Sequence, residues 1–199
     1  MSFKLYDILS SLIPGFIILV ASMYMLNIEY NKDYAIPYTA LAFLIGYIIN
    51  ALCSWLENVY YWTWGGKPST RLLEGKDMWK VRFYEATKVK DYLLEEVKDP
   101  SASNDKLFHE AMRYANGKSD SRVDDFNAHY AFSRSLLTTT LVAIIFVAIK
   151  QHDNWLFYVI AFPSLFVVWF RCKQRAYYYS REVLNEYLKS KRSSIRAIR

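Results

Sequence analysis

Polar residues recur at regular spacing along an otherwise apolar stretch, and their types could support chemistry inside a membrane. They lie three or four residues apart and form one stripe on a helix: Gly46, Asn50, Ser54 and Glu57. An amide or a carboxylate inside a bilayer needs a partner or water. Small residues, in contrast, let helices approach closely. The stripe therefore predicts either the lining of a polar pore or a helix–helix contact.

A glycine-rich turn offers a first candidate site for an anion. The segment 65–70 resembles a phosphate loop, but Tyr61 stands where the first glycine belongs and Pro68 follows the lysine. Backbone amides beside Lys67 and Arg71 could still contact a phosphate. The alternative is a bend that leads the second apolar run into the helices that follow.

The C-terminal tail offers a second candidate site. It alternates basic side chains with a run of tyrosines: Arg171, Lys173, Arg175 and Arg181 with Tyr177, Tyr178 and Tyr179. Cations next to stacking rings suit a single-stranded oligonucleotide. Alternatively, each basic residue attracts anionic lipid by about 1 kcal/mol. The candidate ligand-binding residues are thus Lys67, Arg71, Arg171, Lys173, Arg175 and Tyr178.

No constellation typical of an enzyme or a metal site stands out. His109, His129 and His152 have no ligand spacing that suits zinc, and the two cysteines are isolated. No nucleophile–base arrangement is evident. The sequence predicts a protein that is not an enzyme and holds no metal or cofactor.

Four apolar runs must position these residues. They predict membrane spans over about 8–26, 35–56, 131–149 and 155–170, each close to the ~20 residues that cross a bilayer. The alternative, buried helices of a soluble bundle, predicts a polar face that the second run barely shows. We expect the first run to be retained, because no convincing signal-peptide cleavage site follows it.

The predicted fold is an all-α membrane protein with four transmembrane helices arranged as two hairpins. A first hairpin (1–56) precedes a cytoplasmic helical region (57–130), a second hairpin (131–171) and a basic tail (172–199). The middle region predicts helices over 77–98 and 105–116, and a third from about 120 into the third span. We expect 189–199 to be loose. So small a region buries little core by itself, which favours an oligomer.

Pro14 and Gly15 interrupt the first apolar run. Proline removes a backbone hydrogen bond and bends a helix, and glycine permits close packing or flexing. We expect a kinked helix rather than a re-entrant segment. The kink is either a gate or only a bend.

The charge distribution predicts the orientation. The net charge is +6, and residues 171–199 carry nine basic and two acidic residues, whereas 57–135 is neutral with 13 of each sign. Basic segments stay in the cytoplasm. We therefore expect both termini and the middle region to be cytoplasmic, with the two short loops outside.

The segments Asp7–Phe16, Gly46–Asn50 and Gly65–Ser69, with Glu57 and Leu72-Leu73, carry a family resemblance. Over its first 75 residues the chain resembles small bacterial anti-phage defence membrane proteins, most closely the membrane subunit of Hailong-type systems and less closely that of Kiwa-type systems. The resemblance implies an inner-membrane channel, controlled by a nucleotide or oligonucleotide that a partner nucleotidyltransferase makes. Opening would depolarise the infected cell.

These observations predict a ligand-gated channel or pore that contacts membrane lipid and assembles as a homo-oligomer, with a tetramer favoured. The alternative is a non-conducting membrane sensor or scaffold that recruits a soluble defence partner.

Overall fold

The computed structural model describes the backbone of residues 5–116 and 122–197, and over these residues the protein is helical. Its α-helices are α1 Leu5–Leu26, α2 Ala35–Trp55, α3 Glu57–Thr63, α4 Pro68–Leu73, α5 Ala86–Val97, α6 Asn104–Asn116, α7 Val123–Lys150 and α8 Trp155–Ala197. A short 3₁₀-helix, Lys32–Tyr34, precedes α2. No β-strand occurs in the described ranges, apart from an isolated bridge between Met78 and Val81. The predicted all-α class is confirmed.

Three helices are long and apolar enough to cross a membrane. The qualifying stretches are Lys32–Trp55, Val123–Lys150 and Trp155–Ser194. In α1, the apolar stretch with described side chains is the shorter Ser10–Leu26. By length and composition these three helices are able to span, which is consistent with a membrane protein, and the crossing of α1 stays a prediction.

The chain divides into two compact units. The membrane unit comprises Met1–Asn58 and Ala131–Cys172, and the polar unit comprises Val59–Tyr130 and Lys173–Arg199. The division falls inside α7 and inside α8, so both helices contribute to both units.

Within the membrane unit, α1 and α2 form an antiparallel pair with close backbone contact. A Cβ on Gly15 would lie 1.7 Å from the carbonyl oxygen of Ala42, and a Cβ on Gly46 would lie 1.8 Å from that of Ser11. Only glycine fits at either position. Leu19 packs beside Ala42 farther along the contact. Helix α1 runs unbroken through the buried Pro14, and the role of Pro14 and Gly15 as a gate or a bend stays a prediction.

The polar unit has a hydrophobic core of its own. Its buried residues come from α4, from the loop before α5, and from helices α5, α6, α7 and α8. They are Leu72, Leu73, Val81, Phe83, Ala86, Val89, Leu93, Leu107, Ala111, Ala115, Val123, Tyr177, Val183, Leu184, Tyr187 and Leu188. The C-terminal part of α8 thus completes this core. The middle region does not bury this core alone, and the tail supplies the remaining residues within one chain. The oligomer stays a prediction.

Two expected boundaries in the polar unit were wrong. Helix α5 begins at Ala86 rather than Asp77, because Met78 and Val81 pair across a tight turn in which Lys80 has φ +66°. The segment after Lys189, expected to be loose, continues α8 as far as Ala197, and the last two residues lie outside the described part.

Candidate functional site

The polar stripe of α2 faces α1 at two of its positions. Gly46 is buried against Ser11, and the Asn50 side-chain amide donates a 3.1 Å hydrogen bond to the Ser11 hydroxyl. These contacts supply the partner that an amide at membrane depth requires. The helix–helix contact alternative accounts for both residues, and a pore-lining role for them stays a prediction.

The other two stripe residues are used differently. The Ser54 hydroxyl donates to the Asn50 carbonyl one turn back, at 3.1 Å. The Glu57 carboxylate forms a 2.6 Å ion pair with Arg134 of α7, and only 28% and 17% of these two side chains are exposed. Each member of so sheltered an ion pair depends on the other, because removing one leaves an unpaired charge in a poorly solvated place.

Helix α7 carries buried hydroxyls that were not among the predicted pore-lining residues. Ser135, Thr138 and Thr139 are fully buried. The Thr138 hydroxyl bonds back to the Arg134 carbonyl at 3.2 Å, whereas the Ser135 and Thr139 hydroxyls have no hydrogen-bond partner within the described part of the chain. Their spacing of four residues, which places both on one helix face, was the available signal.

Both cysteines lie inside the membrane unit. Cys53 and Cys172 are buried, and both are free thiols within range of the Arg134 charge. The Cys53 thiol also donates to the Asn50 carbonyl. Among the described residues no three His, Cys, Asp or Glu side chains converge as metal ligands would.

In the polar unit, the charge of Arg71 acts on Lys173. Arg71 on α4 hydrogen-bonds Tyr177 of α8, and Lys173 stands one turn before Tyr177 on that helix. Burial and the nearby Arg71 charge both lower the pKa of Lys173. Burial raises the pKa of Tyr177, and Arg71 opposes that rise. A cation whose charged form is disfavoured by burial and by a second cation would be stabilised by an anion bound beside it.

The glycine turn holds Arg71 in place. Gly65 and Gly66 have φ of +78° and +121°, and the Gly65 carbonyl accepts a 2.9 Å hydrogen bond from Arg71 Nη1. Within the described part, Arg71 Nε is buried without a hydrogen-bond partner. Lys67 points to another neighbour, because Asp105 of α6 pairs with it at 2.5 Å. Of the two cations predicted in this turn, Arg71 therefore contacts a residue of the tail, whereas Lys67 pairs with α6.

The tail residues take several positions. Arg171 is exposed and belongs to the membrane unit, whereas Arg175 is half-buried in the polar unit. The Tyr178 ring contacts Phe126 at 6.3 Å between centroids and carries the Arg181 guanidinium 5.1 Å above it. Tyr177 is buried and Tyr179 stacks on Tyr130. All three rings are thus engaged inside the unit.

Comparison with known proteins gives no relative from which residues could be transferred. No protein-family model, curated protein or solved structure matches the chain significantly. Two clusters of the chain are therefore its candidate functional sites: the buried hydroxyls of α7 and the two cations Arg71 and Lys173.

Proposed function

We propose that the protein is an oligomeric membrane effector, an ion channel or pore that a nucleotide or oligonucleotide gates from the cytoplasm. The resemblance to the membrane subunit of Hailong-type systems supplies the biological setting. In that setting a partner nucleotidyltransferase makes the ligand, and the current depolarises a phage-infected bacterium.

The observation that carries the proposal is the position of Lys173 on α8. Lys173 feels the charge of Arg71 from α4 in the polar unit, and it follows directly after Cys172, the last α8 residue of the membrane unit. A phosphate group bound between the two cations would relieve their repulsion. Binding there would act on a helix that also forms part of the membrane unit, which supplies a route from ligand to spans.

The membrane unit has one feature suited to conduction and one suited to assembly in a membrane. The buried Ser135 and Thr139 hydroxyls, which bond to nothing else described, are suited to replace part of an ion's hydration. The N-terminal part of α8 leaves large apolar side chains exposed, among them Phe162, Phe166 and Val167. In the proposed oligomer these meet lipid or another copy. Because Gly46 and Asn50 contact α1, we assign the ion path to α7 rather than to the α2 stripe.

A non-conducting sensor or scaffold is the second candidate. It is favoured by the use of Gly46 and Asn50 in the contact between α1 and α2, since these were the residues expected to line a pore. In this case the polar unit would still bind an anionic ligand, and its consequence would be recruitment of a soluble partner.

Planar-bilayer recording of purified protein tests the proposal. We expect discrete currents that short oligonucleotides or cyclic nucleotides switch on or off. Arg71→Gln/Lys173→Gln should raise the half-effective ligand concentration at least about tenfold, since each change removes a charge-assisted hydrogen bond to phosphate. The charge-matched control Lys88→Gln/Arg113→Gln changes two exposed residues of the same unit and should leave that concentration unchanged.

The outcomes separate the candidates. A silent bilayer from folded, oligomeric protein that still binds the nucleotides would overturn the channel and favour the sensor. Ligand sensitivity that survives Arg71→Gln/Lys173→Gln would show that these two cations do not bind the ligand. That conclusion would hold whether or not the protein conducts ions.

A further inference from the structure

The loop between α4 and α5 presents aromatic and basic side chains outward from the polar unit. Met78 and Val81 exchange two backbone hydrogen bonds, of 3.2 and 2.9 Å, which place Trp79 and Lys80 at the tip of a tight turn. Trp79 is 66% exposed, and Tyr84 beyond it is 84% exposed. Two large aromatic rings are thus exposed within one short loop.

The loop is held in one conformation by its own anchors. Val81 and Phe83 are buried in the core of the polar unit, while the residues alternating with them, Lys80, Arg82 and Tyr84, are exposed. The Asp77 carboxylate accepts a 3.0 Å hydrogen bond from the Phe83 amide and closes the loop. The exposed side chains are therefore presented on a fixed backbone.

Residues 77–85 carry two basic and two acidic side chains, Lys80 and Arg82 against Asp77 and Glu85, so the loop is formally neutral. Both of its cations are exposed. Lys80 Nζ lies 4.4 Å from the centre of the Trp79 ring, and Arg82 hydrogen-bonds Tyr84. The carboxylates nearby are engaged elsewhere. Glu74 pairs with Lys76 at 2.8 Å, Glu85 pairs with Arg192 at 2.5 Å, and Asp77 holds the loop. Two cations and two aromatic rings thus share one exposed loop.

We propose that residues 77–85 form a lipid-binding loop that docks on anionic phospholipid headgroups. Tryptophan and tyrosine rings favour the membrane–water interface, where their polar end stays hydrated. Lysine and arginine beside them are attracted to anionic headgroups. Three helices of the protein are long and apolar enough to cross a membrane, which makes membrane lipid the partner to which we assign this loop, and anionic headgroups complement the exposed Lys80 and Arg82. The proposal holds whether or not the protein conducts ions.

The test uses the full chain in lipid nanodiscs with brominated acyl chains, which quench tryptophan on contact. Subtracting the emission of Trp79→Phe from that of the unaltered protein isolates Trp79 among the six tryptophans. We expect the Trp79 emission to fall about twofold or more when the brominated lipid is a phosphatidylglycerol mixture, with weaker quenching in pure phosphatidylcholine, because the attraction is electrostatic. Lys80→Gln/Arg82→Gln should remove the difference between the lipids. Lys106→Gln/Arg113→Gln, which changes two exposed residues of α6, should preserve it.

Two results would overturn the proposal. Trp79 emission that bromine leaves unchanged while aqueous iodide quenches it would place the loop in water. Emission protected from both quenchers would show that protein covers the loop, as a second copy or a soluble partner would.

Discussion

At the scale of single residues, Glu96 stands out because one carboxylate joins three helices of the polar unit. It lies on α5 and accepts hydrogen bonds from Tyr114 of α6 and, on α8, from Tyr187 at 3.4 Å and Lys191 at 2.7 Å. The Lys191 ammonium, followed by the Tyr114 hydroxyl, holds the pKa of Glu96 below its ordinary value. The C-terminal part of α8 is thus fastened by charge as well as by its apolar face.

Replacing Glu96 with glutamine should therefore destabilise the protein. We expect the free energy of unfolding to fall by about 2 kcal/mol, because Lys191 and two tyrosines lose a charged acceptor in a sheltered place. The matched control is Glu85→Gln, whose pair with Arg192 is 36% and 48% exposed. That change should cost less than about 1 kcal/mol. Chemical denaturation in detergent, followed by circular dichroism, measures both.

The pH dependence of this effect has a defined sign. A carboxyl whose pKa is lower in the folded state stabilises the fold above its unfolded pKa, which for glutamate is near 4.5. That stabilisation is lost as the pH falls through the folded pKa. The difference between the unaltered protein and Glu96→Gln should therefore shrink below about pH 4. An equal difference at pH 7 and pH 3 would contradict the role of the charged carboxylate.

At the scale of elements, the pair α1–α2 depends on two glycines that allow backbone contact. Gly46→Ala would place a Cβ 1.8 Å from the Ser11 carbonyl oxygen, so the helices must separate. We expect a loss of about 1–3 kcal/mol, the usual cost of overpacking. Ala51→Val on the exposed face of α2 adds more volume and should cost little. Thermal unfolding in detergent compares the two variants. Equal melting temperatures would contradict the close backbone contact between Gly46 and Ser11.

Periodicity and composition predicted some of these elements better than others. The helix around 35–55 was foreseen from the length of its apolar run. The helix around 104–116 was foreseen because its apolar residues repeat at helical spacing. Helix α5 was started too early, because Trp79 has helical spacing from Phe83 although a tight turn exposes it. For Gly46 and Asn50 the shared face could be predicted but not the partner, since small and polar residues suit a pore and a helix contact equally.

At the scale of the whole chain, the two units draw their residues from alternating stretches of sequence. The polar unit needs both the segment before α7 and the end of α8, because Val183, Leu184 and Tyr187 complete its core. Such pairing between distant segments leaves no local signal. The apolar stripe of the tail could be read from the sequence, but the surface it packs on could not.

The alternation of apolar and polar stretches leads to a prediction of topology. Because the excess positive charge lies in 171–199, we expect the polar unit to be cytoplasmic and the turn between α7 and α8 to be outside. His152→Cys in that turn should react with a membrane-impermeant maleimide in intact cells. His109→Cys on α6, a matched exposed position, should react only after permeabilisation. The reverse labelling pattern would show that the protein has the opposite orientation in the membrane. Cys53 and Cys172 are buried and should give little background.

The same labelling decides whether α1 crosses the membrane. Helix α1 runs antiparallel to α2, with contacts from Ser11 beside Gly46 to Leu19 beside Ala42, so a bilayer that α2 crosses should be crossed by α1 as well. Four crossings place the N-terminus in the cytoplasm. Ser2→Cys should then stay unlabelled in intact cells and react after permeabilisation, as His109→Cys does. Labelling of Ser2→Cys in intact cells would leave α1 on the outer side and reduce the crossings to the three helices whose length and composition already suffice.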